Sequence, residues 1–111
     1  MYFIQPTRKI PHLDRVLNAL PSLQMIHIED ISLYDQSIIA IADVKDFLQY
    51  QWALPTIVLA FEDEGTDLAQ AWQTGALAGW IWYQLPEKPV DALAKIDAQY
   101  KRNQDSRDLP S

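Results

Sequence analysis

The sequence contains no cysteine, so it can form neither a disulfide nor a thiolate zinc site. It also lacks a basic excess, because 15 acidic side chains against 9 basic ones give a net charge of −6. Binding to nucleic acid or to an anionic membrane requires a basic surface, and both are therefore disfavoured. No apolar run reaches the ~18 residues of a membrane span, and the N-terminal run MYFIQPTRKIP is too short for a signal peptide. We expect a cytoplasmic chain with no nucleic-acid or membrane partner.

What is present indicates one globular domain. The chain has 111 residues, of which 49% are apolar and 11% aromatic, and a chain of this size and composition can bury its own core. The final stretch, Lys101–Ser111, is polar and poor in apolar residues. We therefore predict a domain over residues 1–100 and a linker or tail over residues 101–111.

Short apolar segments alternate with amphipathic ones along the whole chain. The predicted strands are Tyr2–Gln5, Gln24–Ile28, Ser37–Val44, Thr56–Phe61 and Gly79–Gln84, and the predicted helices run from about Arg8–Ile10 to Leu20 and over Lys45–Leu54, Thr66–Thr74 and Pro89–Tyr100. This alternation predicts an α/β fold, a doubly wound five-stranded parallel sheet in the flavodoxin-like order 2-1-3-4-5. The connection Glu29–Gln36 is too short for a regular crossover, so the second helix should be shortened or missing.

The chain from Pro55 onward resembles the response-regulator receiver family. The matching pieces are TIVLAF, DLAQAWQTGA, GWIWYQ and LPEKPVDALAKI, in that order, and the order of elements agrees over nearly the whole chain. The resemblance implies a regulatory signalling domain of a two-component system, part of a larger protein. It also implies a cis peptide bond at Leu85–Pro86, as at the family's Lys-Pro.

The family's phosphoryl chemistry requires an acidic pair, an aspartate, a hydroxyl, a lysine and Mg²⁺. Here Gln5–Lys9 contain no carboxylate, Phe61 follows Ala60 where a hydroxyl belongs, and Leu85 stands where the lysine belongs. Only Asp43 matches, at or one residue past the phosphoacceptor position. We therefore expect a degenerate receiver, or pseudo-receiver, without enzymatic activity, metal or cofactor, in which Asp43 is a solvated strand-end residue or a helix cap. The alternative is an atypical receiver phosphorylated on Asp43.

Aromatic residues concentrate in the fifth predicted strand. Trp80 and Trp82 alternate with Ile81 and Tyr83, so the two pairs should face opposite sides of a strand at the sheet edge. Aromatic side chains are favoured at interface cores, whereas Trp72 is expected to pack inside. The resemblance points to a protein partner or a homodimer through the surface of helix 4, strand 5 and helix 5 in the family's order. The predicted interface residues are Trp80, Trp82, Tyr83 and Tyr100.

Two smaller patterns complete the set of candidate sites. Thr7, Arg8 and Lys9 follow the first strand and could bind a small anion at a helix N-terminus, which makes an anionic-ligand sensor the second alternative. The competing interpretation is an ordinary helix start with solvated basic side chains. The two histidines, His12 and His27, lie on different elements without a carboxylate partner and predict no metal site.

Overall fold

A computed structural model describes the backbone of residues 1–20 and 22–108 and the side chains of residues 1–20 and 22–104. The strands are β1 Tyr2–Ile4, β2 Gln24–Ile26, β3 Ala40–Asp43, β4 Thr56–Ala60 and β5 Ala78–Ile81. The α-helices are α1 Leu13–Ala19, α2 Val44–Tyr50, α3 Gly65–Thr74 and α4 Pro89–Asp108, and a 3-10 helix spans Ile28–Leu33.

The five strands form one all-parallel sheet in the order β2-β1-β3-β4-β5. The predicted doubly wound, flavodoxin-like α/β fold is confirmed. Every residue of β1, β3 and β4 is buried, whereas all four residues of β5 are half-buried. This contrast follows from position, because a central parallel strand is covered on both faces and an edge strand is not.

The helices divide between the two faces of the sheet. On one face, α1 and α4 contribute Val16 and Leu93 to a core that also contains Phe3, Ile41 and Leu59. The opposite face is covered by the 3-10 helix, α2 and α3. Their buried residues there are Ile31, Val44, Phe47 and Ala71.

Helix α1 begins later than the sequence predicted. It starts at Leu13, because Pro11 disfavours helical backbone at the residue before it and His12 adopts a left-handed conformation with φ 57°. Thr7 is therefore not a helix cap, and residues 5–12 form an irregular segment that returns from the end of β1 to the start of α1.

The other connections differ in how well they were predicted. A 3-10 helix stands in place of a full second α-helix, as expected from the short Glu29–Gln36 connection. Helix α4 continues to Asp108, so Lys101–Asp108 is helical and not an irregular tail; the last three tail residues, 109–111, lie outside the described residues. No helix in the described ranges combines the length and the apolar character that crossing a membrane requires.

The fifth strand is shorter than predicted. It ends at Ile81, Trp82 and Tyr83 form a turn, and Gln84 makes an isolated bridge back to Ile81. The predicted cis bond at Leu85–Pro86 is wrong: the bond is trans. The chain turns at Trp82 and Tyr83, before the proline, so this turn does not require a cis bond at Pro86 and the bond keeps the ordinary trans form.

Two glycines provide a matched test of the packing between α3 and β5. A Cβ atom on Gly79 would lie 2.5 Å from Cδ1 of Leu68, whereas a Cβ on Gly65 would meet nothing within 4 Å. We expect Gly79→Ala to lower the free energy of unfolding by about 1 kcal/mol, because Leu68 must shift. Gly65→Ala, at the start of α3, should be neutral or stabilising. Urea titration of both variants measures the difference, and equal stabilities would contradict the close packing.

Candidate functional site

Three charged side chains meet where the strands β1, β3 and β4 end. Arg8 lies in the irregular segment after β1, Asp43 is the last residue of β3, and Glu64 lies in the loop between β4 and α3. Parallel strands place all their carboxyl ends at one edge of the sheet, which is where such folds bind ligands. This edge is therefore the candidate functional site.

The Arg8 guanidinium engages both oxygens of Asp43. Nε donates to Oδ2 at 2.9 Å and Nη2 donates to Oδ1 at 2.8 Å. The indole Nε1–H of Trp82 also donates to Oδ1, at 3.1 Å. The carboxylate is wholly buried and makes no side-chain cap on α2. The expectation of a solvated Asp43 is wrong. The residue does stand at the N-cap position of α2, but its carboxylate accepts hydrogen bonds from Arg8 and Trp82 instead of capping the helix.

The same guanidinium also pairs with Glu64. Nη1 donates to Oε2 at 2.7 Å and Nη2 donates to Oε1 at 2.8 Å, so Arg8 forms a two-pronged contact with each carboxylate. The backbone N–H of Phe61 donates to Oε1 of Glu64 at 2.9 Å, and the Phe61 ring centroid lies 4.9 Å from Cζ of Arg8. We call Arg8, Asp43 and Glu64 the arginine cluster.

The hydrogen bonds within the arginine cluster shift the pKa values of Arg8 and Glu64. The hydrogen bond with Glu64, followed by those with Asp43, raises the pKa of Arg8 above its ordinary value, outweighing the opposite effect of burial. The hydrogen bond from Arg8 lowers the pKa of Glu64, helped by the Phe61 N–H. Both groups are therefore held in their charged forms at neutral pH.

Further carboxylates surround the arginine cluster. Asp46 is buried and accepts hydrogen bonds from the Thr7 backbone N–H at 3.0 Å and the Thr7 hydroxyl at 2.5 Å. Lys45 pairs with Asp67 at 2.7 Å and lies 4.0 Å from Glu64. The hydrogen bond that Lys45 donates to Asp67 raises the pKa of Lys45. The two cations at this edge, Arg8 and Lys45, are thus already paired with acidic side chains.

The structure does not assemble Thr7, Arg8 and Lys9 into an anion site. Thr7 donates to Asp46, Arg8 is engaged by two carboxylates, and Lys9 is exposed with no ion pair among the described side chains. Because α1 begins only at Leu13, Thr7–Lys9 do not form the N-terminus of that helix. An added anion would compete with internal carboxylates for Arg8.

The described side chains contain no group of three or more histidine, cysteine or acidic residues arranged to hold a metal ion. His12 precedes α1 and His27 precedes the 3-10 helix, and both are exposed. The positive charge that pairs with Asp43 is the side chain of Arg8.

The aromatic residues proposed for an interface fall into different environments. The prediction that Trp82 belongs to an interface is wrong, because this residue is wholly buried. It follows the end of β5, and its indole turns inward to Asp43. Trp80 and Tyr100 are half-buried against the same core face. Tyr83 is 51% exposed, and its hydroxyl donates to the Pro11 carbonyl at 2.5 Å. Trp72, expected inside, is 59% exposed on α3.

The sequence interpretation missed the pairing of Arg8 with Asp43. The signal was available, since β1 and β3 were predicted to be neighbours and residues of opposite charge follow or end these two strands. Glu64 was visible only as part of the acidic loop Glu62–Glu64. Its contribution depends on the path of that loop, which the local sequence does not reveal.

Fold and site together define a flavodoxin-like, doubly wound α/β domain whose strand-end aspartate is held in an internal ion pair with Arg8. No family model matches the chain, and neither a curated protein nor a solved structure does.

Replacing the cation tests how much the arginine cluster contributes to stability. Arg8→Met leaves the buried Asp43 charge without its partner, and Arg8 is itself partly exposed at 31%. We expect a loss of about 2 kcal/mol in the free energy of unfolding, below the usual range for a fully buried pair. Lys9→Met, which removes an exposed cation of the same charge, should change it by less than about 0.5 kcal/mol.

A second substitution separates charge pairing from lost packing. Adding Asp43→Asn to Arg8→Met removes the uncompensated buried charge and should recover part of the loss. Chemical denaturation of the two single variants and the double variant gives the coupling energy. Strictly additive losses would show that Arg8 stabilises the fold only through its aliphatic stem.

Proposed function

We propose that this chain is a non-catalytic, receiver-like signalling domain that does not accept a phosphoryl group and acts through protein–protein contacts, as the regulatory part of a larger signalling protein. The observation that carries the proposal is the arginine cluster. The resemblance to the receiver family implies an acidic site that recruits a metal cation and a lysine. In this chain Arg8 supplies positive charge to the aspartate from within.

The geometry around Asp43 argues against the alternative of phosphorylation. One of its carboxylate oxygens would have to attack phosphorus, yet both oxygens accept hydrogen bonds and the residue is wholly buried. Releasing either oxygen breaks a charge-assisted hydrogen bond and exposes a buried pair. No described group stands ready to hold Mg²⁺ beside it.

A small-molecule phosphoryl donor tests this part of the proposal. We expect no gain of a phosphoryl group, measured by intact mass, when the chain is incubated with acetyl phosphate and Mg²⁺, and no thermal shift with beryllofluoride. Asp43→Asn is the matched control. A gain in mass that this variant abolishes would contradict the proposal and establish the atypical receiver instead.

The interaction surface that we propose is formed by α3, β5 and α4, the counterparts of helix 4, strand 5 and helix 5 in the family's order. β5 lies at the edge of the sheet beside β4, and its residues are half-buried. The helices beside it in the chain carry two of the largest exposed apolar side chains, Trp72 and Val90. Trp80, Tyr83 and Tyr100 add partly exposed aromatic area, whereas Trp82 is no longer a candidate. An open edge with exposed aromatic groups favours a protein partner or a second copy.

Sedimentation velocity over a range of concentrations tests self-association. We expect the average mass to rise with concentration, and Trp72→Ser to weaken association about tenfold or more, as for an aromatic residue near an interface centre. Leu33→Ser is the matched control, because Leu33 is 80% exposed in the 3-10 helix that follows the opposite edge strand. Purely monomeric protein at every concentration would contradict self-association, and equal effects of both variants would contradict the assigned surface.

A further inference from the structure

A groove lies between α1 and the turn that follows β5, apart from the arginine cluster. It has a volume of about 390 Å³ and is lined mainly by apolar surface, with Val16 and Ala19 on one side and Trp82 and Leu85 on the other. This volume falls at the lower end of the range for small-molecule sites in proteins. The groove is therefore large enough for a small organic molecule and too small for a folded partner.

The groove exists because two elements stop short. α1 begins only at Leu13, and β5 ends at Ile81, so Trp82 turns inward to Asp43 and lies buried beneath the groove. The Tyr83 hydroxyl donates to the Pro11 carbonyl and joins the two walls. The groove is thus held by contacts between the elements that form it.

The rim of the groove differs in chemistry from its walls. Arg15 and His12 line it, both are exposed, and Arg15 takes part in no ion pair with another described side chain. The chain has a net charge of −6, but the guanidinium beside this apolar groove provides a local positive charge that can pair with an anion. Arg8, in contrast, is already engaged by two carboxylates.

We propose that this groove binds a small amphipathic organic anion, with its apolar chain or ring against Ala19 and Leu85, above the buried Trp82, and its carboxylate or similar group on Arg15. The site is separate from the Thr7–Lys9 segment and adjoins the proposed protein-contact surface at Tyr83. Trp82 borders the groove from inside and also donates to Asp43, so binding would change the surroundings of a side chain of the buried ion-pair network.

Titration with decanoate, below the concentration at which it forms micelles, tests the proposal through the indole N–H signals in ¹H–¹⁵N NMR spectra. We expect the Trp82 signal to shift in a saturable manner, with the other three tryptophans as internal controls. Decanol, which has the same chain and no charge, should bind about tenfold more weakly, because it cannot form the charge-assisted contact with Arg15.

Three variants locate the binding. Arg15→Gln should weaken decanoate binding about tenfold, whereas Arg102→Gln, an exposed arginine on α4 away from the groove, should leave it unchanged. Ala19→Leu should obstruct the groove and abolish the shift. The proposal is overturned by an unshifted Trp82 signal, by equal binding of decanol, or by equal effects of both arginine variants.

Discussion

The guanidinium of Arg8 is the interaction on which the end of the sheet depends. It donates to both oxygens of Asp43 and both oxygens of Glu64, and so joins the loops that follow β1 and β4 to the last residue of β3. A planar guanidinium suits this task because its donors can meet two carboxylates at once. A buried carboxylate such as Asp43 is tolerated only with such a partner.

The path of the chain around this cluster follows from the pairing. Residues 5–12 remain irregular, with Thr7 donating to Asp46 and Arg8 turned toward Asp43, and α1 begins only after Pro11. On the other side, Trp82 leaves the edge strand to donate its indole N–H to the same carboxylate. The groove beside α1 is therefore a consequence of how the chain closes over Asp43.

The arginine cluster supports the proposal that the strand-end edge, where such folds bind ligands, does not accept a phosphoryl group in this chain. The carboxyl edge of the sheet holds acidic residues, and three of them, Asp43, Glu64 and Asp67, pair with Arg8 or Lys45 from the same chain. The side chains of Arg8 and Lys45 thus provide a permanent positive charge at a place where a bound metal ion could otherwise provide it. In the function that we propose, recognition depends on other surfaces, namely the exposed aromatic groups near β5 and the groove beside α1.

The sequence by itself determined the alternation of strands and helices and the absence of a full second helix, because these follow from local apolar patterning and from connection length. The strand order was predicted as the common arrangement of such folds. It did not determine the partners of Asp43 or the opposite positions of Trp72 and Trp82, one exposed and one buried. Arg8 and Glu64 are 56 residues apart and Arg8 and Asp43 are 35 apart, so no local pattern joins them. Only the tertiary structure decided these contacts, since a long charged side chain reaches whichever partner the neighbouring strands bring within hydrogen-bonding distance.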